Sequence, residues 1–241
     1  MSEVPAPSAV RLDRVRDLIV RARALIFDVD GTLAETEEVH RQAFNAAFVE
    51  TNLDWYWDQA LYKELLQVAG GKERMRAFER QRGRQPLSDA EIAQLHRIKT
   101  KGYAGLIAGG GCPLRPGMEA LLVAARKRGQ RLAIATTTSR DNIDVLLTAA
   151  LGRDWVDRFE VIVAGDEVPR KKPAPDVYLE VLSRLGLSAS ECLAIEDSGN
   201  GLVAASLAGI PVLISRSMFF RDDDFSAALL AVDEITDVTE R

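Results

Sequence analysis

The chain of 241 residues is 47% hydrophobic and 28% charged, which is typical of a globular protein with a sizeable core and one or two domains. Its formal net charge of −5 gives no indication of a nucleic-acid surface. No apolar run approaches the roughly 18 residues that a membrane-spanning helix needs, so we expect neither a nucleic-acid partner nor a membrane partner.

Residues 1–23 are predicted to form an N-terminal extension that contains one helix. Val15, Leu18, Ile19 and Ala22 fall at spacings of i, i+3, i+4 and i+7, which place them on one helix face. Acidic residues interrupt the arginines of this segment. This pattern favours a solvated basic face on a docking helix over a targeting peptide.

Five short apolar runs are predicted to be buried strands, and helical patterns lie between most of them. The predicted strands are 24–29, 131–136, 161–164, 192–196 and 211–214, and the helical patterns are 117–128, 141–151, 175–186 and 200–208. Strands that alternate with helices and are apolar throughout indicate a parallel sheet covered on both faces. We therefore predict an α/β core domain made of residues 24–35 and 105–241.

The interval between the first two predicted strands is far longer than a crossover needs. It contains the helical patterns 37–50, 59–68 and 88–106 and no convincing buried strand. We interpret residues 36–104 as an inserted all-helical cap domain, with hinges near Glu35 and in the glycine run 109–111. An insertion directly after a catalytic strand would place a lid above the site.

Four polar segments follow predicted strands, and each offers chemistry that suits phosphoryl transfer. Asp28 and Asp30 in the first can serve as nucleophile and acid/base. Hydroxyl and backbone N–H groups at a helix start suit phosphate oxygens, a lysine fixed by neighbouring prolines can neutralise phosphate, and adjacent carboxylates suit Mg²⁺. The segments are 28–32, 136–139, 171–176 and 196–198.

Each of these segments also has an ordinary structural explanation. The first could be a turn, the second and fourth could cap helices, and the third could be a solvated loop. Their shared position at the ends of strands favours one active site instead, because a parallel sheet brings those ends to a single edge.

The four segments, in this order, resemble the four motifs of the haloacid dehalogenase-like (HAD) superfamily. The resemblance implies a Rossmann-like parallel-sheet core with strand order 5-4-1-2-3 and a small inserted α-helical cap. It also implies that Asp28 is the nucleophile that forms an aspartyl-phosphate and that Asp30 is the general acid and then the base. Thr136 and Lys172 would hold the phosphoryl group.

The same resemblance implies a magnesium site. Mg²⁺ would bind the Asp28 carboxylate, the backbone carbonyl of Asp30 and Asp197, and Glu196 would be a second acidic ligand or an orienter. The expected cofactor is therefore Mg²⁺.

The cap must supply contacts to the sugar, because the core motifs handle only phosphate. His40 follows the nucleophile loop and faces either the cleft or the surface, and Lys99 is either a contact or a solvated lysine. Residues 70–74, Gly-Gly-Lys-Glu-Arg, predict a flexible loop whose cations can hold a second phosphate. The predicted substrate-binding residues are Glu35, His40, Gly71, Lys72, Arg74, Lys99 and, from the core, Thr137.

The cap residues are similar to those of the CbbY-like enzymes and, more distantly, of the β-phosphoglucomutases. The similarity covers residues 35–41, 55–58, 70–74 and 99–100. It implies a phosphatase that converts xylulose 1,5-bisphosphate into xylulose 5-phosphate and phosphate.

Three alternatives stay open: a phosphosugar mutase, a broad-specificity sugar-phosphate phosphatase, and a non-catalytic phosphosugar-binding protein. Thr32 and Ser139 disfavour the mutase, because the related mutases typically lack threonine at the first position and carry a basic residue at the second. The complete set of core motif residues disfavours the non-catalytic protein.

The expected partner is a small sugar phosphate, and we expect a monomer. The two cysteines, Cys112 and Cys192, indicate a reducing compartment rather than a disulfide framework. We therefore expect a cytoplasmic protein.

Overall fold

The computed structural model describes residues 9–83, 86–110 and 112–239, and within them six parallel strands form one sheet. The sheet order is β3-β2-β1-β4-β5-β6, which places β1 at the centre. The predicted α/β class and the 5-4-1-2-3 order are thus confirmed. The strands are β1 (Ala24–Phe27), β2 (Arg131–Ala135), β3 (Val161–Val163), β4 (Cys192–Glu196), β5 (Val212–Ser215) and β6 (Leu230–Val232).

Ten α-helices surround or cap this sheet within the described residues. They are α1 (Ala9–Arg21), α2 (Glu37–Glu50), α3 (Gln59–Leu65), α4 (Gly71–Arg82), α5 (Asp89–Ala108), α6 (Met118–Lys127), α7 (Arg140–Leu151), α8 (Asp176–Leu185), α9 (Gly199–Leu207) and α10 (Thr236–Thr239). None of them is both long and apolar enough to cross a membrane.

The central strand shows why the apolar runs form a doubly covered sheet. Leu25 and Phe27 point into one hydrophobic cluster, and Ala24 and Ile26 point into the other, because side chains alternate along a strand. All four residues are fully buried. Burial on both faces is the reason that this strand is apolar without interruption.

The strand β6 extends the sheet beyond the five strands that were predicted. It has only three residues, and its middle residue, Ala231, is half-buried and pairs with Ile214 of β5. A run this short carries no periodicity of its own. Its pairing with β5 is a tertiary effect.

The N-terminal helix α1 docks on the core, as its amphipathic pattern predicts. Val15 and Ile19 are buried, and Gln130 donates to the backbone carbonyls of Ile19 and Ala22. Arg11 donates to the carbonyl of Leu229 beside β6. Residues 1–8 of the predicted extension lie outside the described residues.

In the sequence, helices α2–α5 lie between β1 and α6. They enclose an aromatic cluster that is separate from the two clusters of the sheet. Trp57 packs against Phe44 with ring centres 4.7 Å apart, and both residues are buried. Phe219 and Phe220, which follow β5, join the same cluster, and Phe219 lies 5.7 Å from the ring of Tyr62. The core therefore anchors the cap through two aromatic side chains.

The predicted loop at residues 70–74 is wrong, because helix α4 begins at Gly71. Gly70 is the N-cap and has a φ of +94°, a conformation that glycine adopts without strain. Lys72 and Arg74 consequently lie on the first turn of a helix. Residues two apart on a helix point in different directions, and accordingly Lys72 is exposed whereas Arg74 is buried.

Two connectors join the helices α2–α5 to the sheet, and Arg115 ties them to the core. Its guanidinium donates to the carbonyl of Gly31 at 2.6 Å and to that of Ser215 at 3.0 Å, and its backbone N–H donates to Leu33. Helix α5 continues to Ala108 without a break at residue 104. The boundary of the cap domain at residue 104 therefore stays a prediction. Of the predicted hinge 109–111, Gly111 lies outside the described residues.

Candidate active site

The predicted catalytic residues meet in one pocket at the carboxyl edge of the sheet. Asp28 follows β1, Thr136 follows β2, and Asp197 follows β4. Lys172 comes from the loop between β3 and α8, so it does not lie directly at a strand end. The predicted residues that line the pocket are Asp28, Asp30, His40, Gly71, Lys72, Arg74, Thr136, Thr137, Lys172 and Asp197.

Lys172 links the buried carboxylates of the pocket. Its Nζ donates to Asp28 Oδ1 at 2.6 Å, to the carbonyl of Ala135 at 2.9 Å, and to Glu196 Oε1. Burial alone would lower the pKa of Lys172, but Asp28 and Glu196 outweigh it and hold that pKa above its usual range. The ammonium group is therefore charged, as a group that binds phosphate must be.

Glu196 stands behind this lysine and does not line the pocket. Its Oε1 accepts from Lys172 and also from the hydroxyl of Tyr178 at 2.6 Å, and its Oε2 accepts from the N–H of Asp197. Since both oxygens are engaged, the geometry favours the prediction that Glu196 orients its neighbours. Tyr178, a fully buried residue on the first turn of α8, was missed by the sequence interpretation.

Asp28, Glu196 and Asp197 form a buried acidic cluster that fits a divalent cation. Each offers a carboxylate oxygen within 4.8 Å of the others. Among the described residues, Asp197 Oδ2 has no hydrogen-bond partner although it is buried. Burial, and then Asp28 and Glu196, hold the pKa of Asp197 well above its usual range. A hard cation, which binds oxygen ligands, would give Asp197 Oδ2 a partner and would offset the repulsion among the three carboxylates.

Gly31 lets the nucleophile loop approach this cluster. Its φ is +82°, and a Cβ atom at this position would lie 1.9 Å from Asp197 Oδ2. Only a residue without a side chain can therefore sit against that carboxylate.

Asp30 is held by groups from the cap side of the pocket. Its Oδ1 accepts from Thr36 Oγ1 at 2.5 Å and lies 3.1 Å from His40 Nε2. Burial alone would raise the pKa of Asp30, but His40, Thr36 and Lys99 outweigh it and hold that pKa below its usual range. For Asp28 the balance is opposite, and burial, opposed by Lys172, raises its pKa to about 8.

Lys99 lies behind His40 and does not line the pocket. Its Nζ is 2.6 Å from His40 Nδ1, the lysine is buried, and burial lowers its pKa to about 7. The alternative of a solvated lysine is therefore wrong. Lys99 therefore contacts His40 rather than the pocket itself, and the other ring nitrogen of His40 faces Asp30.

Thr136 and Thr137 begin the segment that was predicted to hold phosphate. Thr136 is buried at the end of β2, and its Oγ1 accepts from the N–H of Thr138 at 3.2 Å. Ser139 is the N-cap of α7 and lines the pocket, so this helix begins at the pocket wall. Hydroxyl and N–H groups at a helix start suit anionic oxygens.

Two predicted substrate-binding residues are engaged elsewhere. Glu35 does not line the pocket; its carboxylate accepts from the N–H of Met218 at 3.2 Å and lies 3.7 Å from Arg115 Nε. Arg74 reaches the pocket wall, but its guanidinium donates to the hydroxyl of Tyr62 and to the carbonyl of Leu65.

Several pocket residues were missed by the sequence interpretation. His96 lies three residues before Lys99 on α5, and this helical spacing places both on one face, a signal that could have found it. Lys171 adjoins Lys172 and also lines the pocket. Asn200 and Phe220 carried no comparable signal, because their positions depend on how the loops after β4 and β5 pack.

Comparison with known proteins agrees with this site. A model of the haloacid dehalogenase-like hydrolases matches residues 22–209. The plasmid protein CbbY of Cupriavidus necator is 52% identical over 222 residues, which cover 90% of this chain and 87% of that protein.

Solved structures agree as well. The crystal structure of CbbY from Rhodobacter sphaeroides in complex with phosphate has a TM-score of 0.84 and 43% identity, and covers 88% of this chain and 94% of that chain. A mutant of that CbbY, crystallised with xylulose 1,5-bisphosphate, matches equally well. The predicted resemblance is confirmed: the chain belongs to the haloacid dehalogenase-like hydrolase family.

Proposed function

We propose that this protein is a Mg²⁺-dependent phosphatase that converts xylulose 1,5-bisphosphate into xylulose 5-phosphate and phosphate through an aspartyl-phosphate on Asp28. The observation that carries the chemistry is the 2.6 Å pairing of Asp28 with Lys172 beside the buried acidic cluster. The complex of a CbbY mutant with xylulose 1,5-bisphosphate supports the choice of substrate.

The two aspartates would divide the chemistry. Asp28 attacks phosphorus and forms a P–O bond as the bond to the sugar oxygen breaks, and Asp30 donates a proton to that departing oxygen. Asp30 then takes a proton from the water that attacks the same phosphorus, which breaks the bond to Asp28 and releases phosphate. Lys172 and Thr136 hold the phosphoryl oxygens in both steps.

The acidic cluster would hold the magnesium ion. Its ligands would be the carboxylates of Asp28 and Asp197 and the backbone carbonyl of Asp30, with Glu196 orienting Lys172. When bound, the ion offsets the repulsion between carboxylate and phosphate and favours ionised Asp28, which opposes the effect of burial on the pKa of that group.

Asp30 must carry a proton when the sugar oxygen departs. Its Oδ1 is engaged with Thr36 and His40, so Oδ2 is the oxygen that would donate. His40 is the neighbouring group that can exchange a proton with Asp30, and Lys99 holds the other nitrogen of that ring.

We further propose that the protein acts as a cytoplasmic monomer. A single chain supplies all the lining residues named above, and the described residues include two buried unpaired cysteines, which is expected in a reducing compartment. Size-exclusion chromatography with light scattering tests the monomer, and a stable dimer would contradict it.

The test of the proposed function is phosphate release with Mg²⁺ from a panel of sugar phosphates. We expect the highest kcat/KM with xylulose 1,5-bisphosphate, compared with ribulose 1,5-bisphosphate and the sugar monophosphates. Equal values across the panel would support a broad phosphatase instead. Interconversion of sugar phosphates without phosphate release would indicate a mutase.

A further inference from the structure

Lys171 and Glu73 form an ion pair that connects the two walls of the active-site pocket. Lys171 Nζ lies 3.0 Å from Glu73 Oε1 and 3.2 Å from Oε2. The lysine directly precedes Lys172 in the core, and the glutamate lies on the first turn of α4. Lys171 lines the pocket that contains Asp28, so this pair stands at the edge of the space where substrate must bind.

The backbone at Gly70 leaves room for this pair. A Cβ atom at Gly70 would lie 2.2 Å from Glu73 Oε2 and 2.8 Å from Lys171 Nζ. Since the two charged groups lie against bare backbone, any larger residue at this position would displace them. The Lys171–Glu73 contact at the edge of the pocket therefore depends on glycine at position 70.

The surrounding wall is rich in basic groups. Lys72 and His96 line the same pocket as Lys171. Burial, and then Lys99, Lys72, Lys171 and His40, together lower the pKa of His96 to about 3. His96 is therefore neutral, and the positive charge of this wall that can attract an anion comes from Lys72 and Lys171. Arg74 contributes little here, because its guanidinium is hydrogen-bonded to Tyr62 and Leu65.

Glu73 is the group that an incoming anion would have to replace. Its side chain is 47% exposed, whereas that of Lys171 is 19% exposed, so the glutamate can swing into solvent while the lysine stays. A phosphate carries more charge than a carboxylate and offers three acceptor oxygens, which makes it the stronger partner for an ammonium group.

We propose that Lys171 is a specificity-determining residue that binds the second phosphate of a sugar bisphosphate, and that Glu73 occupies Lys171 until that phosphate replaces it. This inference rests on the proposed function and names the residues that would distinguish a bisphosphate from a monophosphate. It differs from the sequence interpretation, which assigned the second phosphate to Lys72 and Arg74.

Two substitutions separate this role from that of a simple bridge between cap and core. Lys171→Met and Glu73→Gln both break the ion pair, so a bridge predicts the same direction of change for both. Competition predicts opposite directions, because the first removes the binding group for phosphate and the second removes only its competitor.

The experiment measures kcat and KM for xylulose 1,5-bisphosphate and for xylulose 1-phosphate, which lacks the second phosphate. We expect Lys171→Met to lower kcat/KM for the bisphosphate about tenfold, mainly through KM, and to change the monophosphate value less than about twofold. Glu73→Gln should lower KM for the bisphosphate about twofold to threefold and leave the monophosphate unchanged.

Lys63→Met is the matched control. Lys63 Nζ pairs with Asp222 at 2.6 Å, which also joins the cap helices to the core, but neither residue lines the pocket. Its kinetics should match the wild type with both substrates.

The proposal is overturned if Lys171→Met and Glu73→Gln shift the bisphosphate KM in the same direction. It is also overturned if Lys171→Met impairs both substrates equally. Failure of the proposed function would look different, since it would show in the wild-type protein, either as no phosphate release or as equal kcat/KM values across the panel of sugar phosphates.

Discussion

The core edge of the pocket and the cap wall opposite it differ in how tightly their side chains are held. At the core edge, Lys172, Asp28 and Asp197 are buried, and the first two are directly hydrogen-bonded to each other. On the cap wall, Lys72 is exposed, and Glu73 is a half-exposed partner of Lys171. The difference indicates that the core is preorganised for one reaction, whereas the cap wall can change partners when substrate arrives.

The largest expected effect comes from removing the proposed nucleophile, Asp28, from the core edge. We expect Asp28→Asn to lower kcat by at least about a thousandfold, because no other group in the pocket is placed to form the covalent bond. The free energy of unfolding should stay the same or rise, since the change removes a buried carboxyl whose pKa is raised. Steady-state phosphate release and urea unfolding measure the two effects. Substantial remaining activity would show that Asp28 is not the nucleophile.

Asp197→Asn tests whether the buried acidic cluster holds the metal. Wild-type protein should gain thermal stability when Mg²⁺ is added and lose activity in EDTA, with recovery on adding Mg²⁺ back. The variant should lose most of the Mg²⁺-dependent rise in Tm, because Asp197 Oδ2 is a buried carboxylate oxygen of the acidic cluster and has no hydrogen-bond partner among the described residues. An unchanged rise in Tm would place the ion elsewhere.

A matched pair of tyrosines compares the two regions directly. Tyr178 donates to Glu196 at 2.6 Å in the core, and Tyr62 donates to Glu37 at 2.7 Å in the cap cluster. We expect Tyr178→Phe to lower kcat about tenfold with little change in KM, because a hydrogen bond to a buried carboxylate is worth about 1.5–3 kcal/mol and Glu196 orients Lys172.

Tyr62→Phe is its counterpart in the cap. It should lower the free energy of unfolding by about 1 kcal/mol or more and change kcat less than about twofold. Equal losses of kcat in both variants would remove the distinction between the core edge and the cap.

The smallest expected effect concerns pH. The pKa of His96 is about 3 in the folded protein and near 6.5 when unfolded, so below pH 6.5 the unfolded state binds the extra proton. The stability that neutral His96 provides is complete above pH 6.5 and declines as pH falls toward 3. Between pH 7 and pH 5, urea unfolding should show that the wild type loses on the order of 1 kcal/mol of stability relative to His96→Asn, because groups common to both proteins cancel in this difference. The same change with pH in both proteins would contradict this.

The core half of the site could be predicted because parallel strands bring their ends to one edge. Once the runs around residues 24–29, 131–136 and 192–196 are identified as strands, Asp28, Thr136 and Asp197 must approach each other. Lys172 is an exception to this rule, because it reaches the pocket from the loop between β3 and α8 rather than from the end of a strand.

The cap half could not be predicted to the same depth. Helical periodicity does not say which way Arg74 turns once α4 begins at Gly71, or that Glu35 contacts Met218. These placements depend on tertiary contacts between segments distant in sequence. For the same reason the three-residue strand β6 carried no local signal.

The most direct test of the account is to look for phosphate on Asp28 during turnover. Enzyme mixed with Mg²⁺ and xylulose 1,5-bisphosphate is quenched rapidly in acid, and the peptide that contains Asp28 is analysed by mass spectrometry. We expect a fraction of this peptide to gain the mass of one phosphoryl group, and we expect none in Asp28→Asn. Rapid phosphate release with the modification on another residue, or with undiminished turnover in Asp28→Asn, would contradict the account.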